Sequence, residues 1–227
     1  MMEPINIFYE IGKKRVYAGA VAWYGWYGSG RDEASALQAL LDLGPRYGAA
    51  IEAAQLGFQP PTDLQAFNII ERVEGNSTTD FGAPDVPPTS DDEPVDEVEL
   101  QQMQALMSAC WDTLLRTAQQ AVGQELRKGP RGGGRELNGI VTHVANAHTS
   151  YLRRIAWQIK LPADETMERQ LAHLQYETSQ ALTAAVVNGL PEKSKRGGKI
   201  WQPRTFVRRA AWHILEHIWE IEDRVLE

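Results

Sequence analysis

The sequence predicts an α+β protein in which a C-terminal four-helix bundle follows a small N-terminal ββαβ unit. The residue types change twice along the chain. Short runs rich in aromatic and branched residues come first, as in strands. The stretch GNSTTDFGAPDVPPTSDDEPVDEVE, which is rich in Pro, Asp and Glu and has no basic residue, has the composition of a linker. Beyond it, apolar residues recur every three or four positions, as in amphipathic helices. We therefore expect domains at 1–75 and 97–227, joined by a linker at 76–96.

The N-terminal unit begins with a predicted hairpin. Residues 5–11 and 14–23 have the composition of strands, and a turn fits between them at Gly12-Lys13. From Asp32 the apolar residues recur at helical spacing until Gly44-Pro45, which predicts one helix that is kinked or broken there. The segment AFNIIERV then predicts a third strand beside the first two.

The segment RVYAGAVAWYGWYGSGRDEASALQALL resembles the HicB-like antitoxin fold, over about residues 5–73. The resemblance implies that this unit binds a partner. Its glycines predict a tight turn and not a phosphate-binding loop, because the P-loop lysine and the dinucleotide-binding spacing are both absent. The aromatic residues of the segment are expected to pack against the second domain. They are Trp23, Tyr24, Trp26 and Tyr27.

Four helices are predicted after the linker. The first repeats apolar residues from Leu100 to Ala121, and the second spans about 135–159. The third occupies roughly 164–189. The fourth begins near Pro203, a residue suited to a first helical turn, and continues to the C-terminus. Because short polar loops join these helices, a bundle is the expected architecture.

The composition limits the partners and the metal ligands. A formal net charge of -7 disfavours broad binding to nucleic acid. No apolar run reaches the roughly 20 residues that span a bilayer, and the N-terminus lacks a secretory pattern. We therefore expect a cytoplasmic protein without membrane association. Cys110 is the only cysteine, which excludes an intrachain disulfide and leaves His and carboxylates as metal ligands.

Three histidines are predicted to converge. His213 and His217 lie four residues apart in the fourth helix, and therefore on one face, beside its apolar seam. The seam residues are Val207, Ala211, Ile214, Ile218, Ile221 and Val225. His143 lies outside the main apolar face of the second helix, at a comparable distance along its helix. His148 lies near the centre of that face and is interpreted as a hydrogen-bonded core histidine, while His173 is expected on a surface or flank.

One histidine in a THVANAHTSYL-like second helix and an HxxxH pair in a fourth resemble the DinB/YfiT superfamily, over roughly residues 97–227. The resemblance implies that His143, His213 and His217 bind a divalent ion, zinc or nickel, and leave coordination positions open. Members include transferases that use low-molecular-weight thiols and the mycothiol-dependent maleylpyruvate isomerase. The fold has an overhand connection between its second and third helices, and the predicted link here, Lys160 to Asp164, is shorter than that.

Three neutral imidazoles with an open position would make the ion a Lewis acid that lowers the pKa of a bound water or thiol. We therefore predict a metal-dependent S-transferase or hydrolase that acts on a small molecule. The resemblance implies a low-molecular-weight thiol as a second cofactor of the transferase. Glu216 and Glu220 are candidate groups for acid-base catalysis or for orienting a ligand. Glu220 is preferred as the catalytic residue because it shares the face of His213 and His217.

The remaining predictions concern partners. Tyr151 and Trp212 are expected in the core and not in the wall of a substrate site. The N-terminal unit would then serve as a lid or as the contact surface of a homodimer. The alternative is a non-catalytic interaction protein, in which the HicB-like unit binds a partner and the histidines are structural. An open position at the metal would favour the enzyme, and a closed site with four ligands would favour the alternative.

Overall fold

The computed structural model describes residues 4–128, 134–161, 165–192 and 198–226. It confirms the α+β class, since a four-stranded sheet precedes the bundle helices. The strands are Ile5–Ile11 (β1), Val16–Ala20 (β2), Tyr27–Gly30 (β3) and Phe67–Glu74 (β4). The α-helices are Glu33–Ile51 (α1), Ser77–Phe81 (α2), Glu97–Gln120 (α3), Leu137–Arg154 (α4), Met167–Val187 (α5) and Pro203–Arg224 (α6). None of the helices in these ranges combines the length and hydropathy needed to cross a bilayer.

The sheet has the strand order β3-β2-β1-β4 and one strand more than the sequence predicted. The hairpin of β1 and β2 and the returning strand β4, which is parallel to β1, are confirmed. The prediction missed β3 because its sequence, YGSG, is rich in glycine, which has low β-propensity. Gly28 is required there, since a Cβ atom would lie 2.1 Å from the backbone nitrogen of Leu40. Helix α1 therefore packs directly on the backbone of β3.

Helix α1 covers one face of the sheet. Asp32 caps its N-terminus, where the carboxylate accepts a hydrogen bond from the backbone nitrogen of Ser35 at 2.8 Å. The predicted break at the proline is wrong, because the helix continues through Pro45 to its end. Trp26 holds the helix on both sides of the proline, since its indole donates to the carbonyl of Leu40 at 2.9 Å and its ring stacks on Tyr47. This packing offsets the backbone hydrogen bond that a proline removes.

The opposite face of the sheet packs on α6. Phe8, Tyr17 and Tyr27 form a buried aromatic cluster with Trp212 of that helix. Tyr24, in the turn before β3, donates a hydrogen bond of 2.6 Å to Glu99 of α3. Tyr24 and Tyr27 thus pack against the C-terminal helices as predicted. The two tryptophans of this segment, Trp23 and Trp26, contact Phe58 within the N-terminal part instead.

Helices α3 to α6 form the predicted bundle, in which α3 and α4 each lie between α5 and α6. Helix α6 runs parallel to α3, while α5 runs antiparallel to α3 and α4 runs antiparallel to α6. The contacts that fix these directions are Glu99 with Arg204, Gln104 with Thr183, Gln119 with Glu168, His148 with Phe206, and His143 with His213. Helices α4 and α5 are consequently parallel to each other.

Two parallel consecutive helices require a connection that returns along the bundle. Helix α4, the predicted second helix of the bundle, ends at Arg154 and not near residue 159, because Ala156 adopts a left-handed backbone with φ of 59°. The connection therefore spans residues 155–166 and is longer than the predicted link. Residues 162–164, which include part of that predicted link, lie outside the described residues.

The acidic, proline-rich segment between the two parts is packed against both of them. Arginines of α6 donate hydrogen bonds into it. They are Arg204 to the carbonyls of Ser90 and Glu93, Arg208 to the carboxylate of Asp91, and Arg209 to the carbonyl of Pro84. On the sheet side, the buried carboxylate of Glu10 accepts hydrogen bonds from Thr79 and from the backbone nitrogen of Asp85. One cluster of buried residues runs through both parts of the chain. The boundary at 76–96 stays a prediction.

A buried ion pair connects three parts of the chain. Asp91 is fully buried and Arg208 is 3% exposed. The guanidinium donates to the two carboxylate oxygens at 3.0 and 2.7 Å, and to the carbonyls of Ala20 and Val21 at 2.7 and 2.9 Å. All three guanidinium nitrogens therefore have acceptors, as a buried charge requires. The pair joins α6, the acidic segment and the end of β2.

Replacing Asp91 with Asn should lower the free energy of unfolding by about 3–5 kcal/mol, because it leaves the Arg208 guanidinium buried without a counter-charge. Urea denaturation followed by tryptophan fluorescence measures this change. Asp92→Asn is the matched control, since its neighbour Asp92 is exposed. A loss below about 1 kcal/mol in Asp91→Asn would show that the pair does not hold these elements together.

Candidate metal centre

Helices α4 and α6 bring three histidine side chains together. Nε2 of His213 lies 3.3 Å from Nε2 of His143 and 3.3 Å from Nε2 of His217. The three ligand atoms all lie within 4.8 Å of one another. Tetrahedral zinc, with Zn–N distances of 2.0–2.1 Å, separates its nitrogen ligands by about 3.3–3.4 Å. The two distances from His213 therefore match the spacing around a single ion, and the third pair, His143 and His217, lies within 4.8 Å.

The packing of α6 sets the direction of two of these rings. Its seam is buried as predicted, apart from the half-buried Val225 just beyond the helix end. The buried seam residues are Val207, Ala211, Ile214, Ile218 and Ile221. Because residues four apart share a helical face, His213 and His217 extend from beside the seam toward α4. His143 meets them from the antiparallel helix α4, at the depth that the sequence predicted.

Burial disfavours the charged form of all three rings. Burial, together with the smaller effect of the two neighbouring histidines, lowers the pKa of His213 to about 2. Burial also lowers the pKa of His143 and of His217 below its ordinary value. Neutral imidazole nitrogens that face each other repel through their lone pairs unless a proton or a cation lies between them. A divalent ion would satisfy all three lone pairs at once.

Glu220 fixes the ring of His217. Its Oε2 accepts a hydrogen bond of 2.7 Å from Nδ1 of His217, which requires the proton on Nδ1 and leaves the lone pair on Nε2. Its Oε1 accepts a hydrogen bond of 2.6 Å from Arg224, whose Nε donates to the carbonyl of Arg127 at 2.9 Å. Oε2 of Glu220 thus orients His217, while Arg224 holds Oε1. The assignment of Glu220 as a catalytic acid-base group stays a prediction. Glu216, the other candidate carboxylate, is exposed.

His148 lies outside this group, and its interpretation as a core histidine is confirmed. Its Nε2 lies 2.6 Å from Oγ1 of Thr178, and its ring contacts Trp111 and Phe206. Burial lowers the pKa of His148 to about 3. His173 is partly exposed on α5, which agrees with its predicted place on a flank.

The group contains three candidate ligands. Within the part of the chain that the structure describes, no fourth His, Cys, Asp or Glu side chain joins the group. Cys110, on α3, is buried away from it. His143 and His217 are half-buried, so one side of the group faces solvent. Three protein ligands with an open position are typical of catalytic zinc, whereas structural zinc has four.

Tyr151 and Arg209 lie beside the histidines and were not predicted as part of the site. Trp212 is buried as expected, but Tyr151 is only half-buried, and its ring centre lies 5.6 Å from that of His213. Tyr151 nevertheless packs against the main core cluster, in agreement with its predicted place. Arg209 packs over the rings of both Tyr151 and Trp212. Its position four residues before His213 is a signal from which the sequence could have identified it.

No protein-family model matches the chain, and no curated protein or solved structure matches it either. The resemblances to the DinB/YfiT superfamily and to the HicB-like fold therefore stay predictions. A metal centre is supported by the geometry of its own residues.

Replacing Glu220 with Gln should weaken zinc binding by about 10- to 100-fold, because a neutral amide orients His217 less firmly than a carboxylate that Arg224 also holds. Competition with a chromophoric chelator measures the affinity. Glu222→Gln is the matched control, because Glu222 lies on the same helix but pairs with Arg46. Equal zinc affinity in Glu220→Gln and the unaltered protein would exclude this orienting role.

The fold should lose stability below about pH 6.5 through His148. The folded state holds this ring neutral down to about pH 3, whereas the unfolded chain takes up the proton near pH 6.5. Stability is thus complete above that pH and falls by up to about 1.4 kcal/mol per pH unit as the pH drops through this window. Urea denaturation between pH 6 and 5 should show that the free energy of unfolding falls less steeply with decreasing pH in His148→Gln than in the unaltered protein. His173→Gln should keep the original slope, and equal slopes in all three proteins would contradict the assignment.

Proposed function

We propose that the chain is a divalent-metal-dependent enzyme of the DinB/YfiT type that acts on a small molecule by hydrolysis or by transfer to a thiol. The convergence of the Nε2 atoms of His143, His213 and His217, with an open side, carries this proposal. The helix order supports it as well. Parallel α4 and α5 require the long returning connection that the sequence resemblance implies.

The donor set favours zinc or nickel. Imidazole nitrogen suits zinc and nickel, whereas calcium and magnesium prefer oxygen ligands. When bound, the ion would supply Lewis-acid chemistry and lower the pKa of a water or thiol at its open position. A low-molecular-weight thiol as second cofactor rests on the resemblance alone, and so hydrolysis is kept beside thiol transfer.

The chain's own residues prepare the site for this chemistry. His213, which is 8% exposed, is shielded from water and kept neutral, so protons compete little for its Nε2. Glu220 and Arg224 keep the ring of His217 turned toward the other two. The half-buried His143 and His217 border the side where a substrate can enter. Three ligands with an open side argue against the alternative of a purely structural metal in an interaction protein.

Protein purified without chelators or a nickel column should contain about one equivalent of a divalent transition metal by elemental analysis, because a preformed set of three neutral imidazoles binds such ions tightly. His213→Ala should lose most of it, since this ring links the other two. His148→Gln and His173→Gln are the matched controls and should retain it. A metal-free protein that also fails to take up zinc, nickel or manganese would refute the metal centre.

The same variants test catalysis. Metal-loaded protein would be assayed with glutathione, mycothiol or bacillithiol and an electrophilic acceptor, and with simple esters and amides. We expect any activity found to fall by about 100-fold or more in His213→Ala. Equal rates in His213→Ala and the unaltered protein would mean that the activity is unrelated to this centre, and the interaction-protein alternative would then take precedence.

A further inference from the structure

A group of aromatic and arginine side chains borders the histidines on the side nearest the start of α6. The ring of Tyr151 lies edge-on to His213, with centres 5.6 Å apart. Trp201 lies next to Tyr151, with ring centres 5.5 Å apart. The guanidinium carbon of Arg209 lies 5.9 Å from the ring centre of Tyr151 and 4.8 Å from that of Trp212. These side chains therefore lie directly beside His213.

Arg209 differs from the other arginines of α6. Arg204, Arg208 and Arg224 each pair with a carboxylate. Over the described ranges, Arg209 has no carboxylate partner and donates instead to the carbonyl of Pro84. The guanidinium lies against two aromatic rings, and beyond the N–H group that donates to Pro84 it has further N–H groups that suit a planar anion. The half-buried Arg209 thus presents an uncompensated charge one turn from His213.

A further feature points to an anion. Among the residues that the structure describes, the hydroxyl of the half-buried Tyr151 has no hydrogen-bond partner, so it is free to donate.

We infer that the substrate of this centre is a small carboxylate, which pairs with the guanidinium of Arg209 and accepts a hydrogen bond from the hydroxyl of Tyr151. A stacked guanidinium offers two parallel N–H groups that match a carboxylate. A carboxylate held there lies beside His213, with the rest of the molecule extending toward the open side of the histidines. This inference rests on the proposed function and specifies its substrate class.

Cobalt-loaded full-length protein provides a readout that is independent of turnover. Benzoate would be titrated while the visible absorption of cobalt is recorded, with benzamide as the neutral analogue. We expect saturable binding of benzoate and at least tenfold weaker binding of benzamide. Arg209→Gln should weaken benzoate binding about tenfold, and Tyr151→Phe a few-fold. Arg153→Gln, which removes an exposed arginine of α4, is the matched control and should leave the affinity unchanged.

The outcomes separate the inference from the proposed function. If the unaltered protein binds no cobalt, the metal centre fails and the inference fails with it. If cobalt binds but benzamide binds as tightly as benzoate, or Arg209→Gln binds benzoate normally, the inference alone is overturned. Thermal unfolding establishes that each variant folds. Should Arg209→Gln not fold, Tyr151→Phe and the benzamide comparison decide the result.

Discussion

The buried pair of Arg208 and Asp91 fixes how α6 is rotated about its axis. Arg208 bonds to carbonyls at the end of β2, and Trp212, one turn later, packs on the sheet. Because successive helical residues are about 100° apart, the face that carries Arg209 and His213 then turns toward α4. Rotating the helix would leave a guanidinium buried without its acceptors, which is costly. The position of the three histidines therefore depends on an ion pair that is not part of their group.

Patterns within one element predicted most of the bundle, because helical periodicity is a local property. The same local view failed where a distant residue decides the outcome. Strand β3 consists mostly of glycine and small residues, and what requires Gly28 is the close approach of α1. The acidic segment has the composition of a linker, yet arginines of α6 more than 100 residues away hold it in place. Nothing in the segment itself indicates those partners.

The site shows the same division. The spacing of His213 and His217 predicted that they share a face, and the central place of His148 predicted its burial. The inclusion of His143 depended on how α4 and α6 align. The sequence predicted this alignment from the comparable positions of His143 and the pair of His213 and His217 along their helices. Arg127, in contrast, holds Arg224 through a backbone carbonyl beyond the end of α3, and no motif marks it. The result is a group of three imidazoles, one of which is oriented by a carboxylate.

X-ray absorption at the zinc edge of the zinc-loaded protein tests the metal centre most directly. The histidine geometry predicts one zinc with three imidazole nitrogens at about 2.0–2.1 Å, together with a light atom from solvent at the open position. The spectrum of the His143→Ala variant should show less imidazole scattering than that of the unaltered protein. A shell with fewer than three imidazoles in the unaltered protein, or one that contains sulfur from the single cysteine, would contradict a centre built from these three histidines.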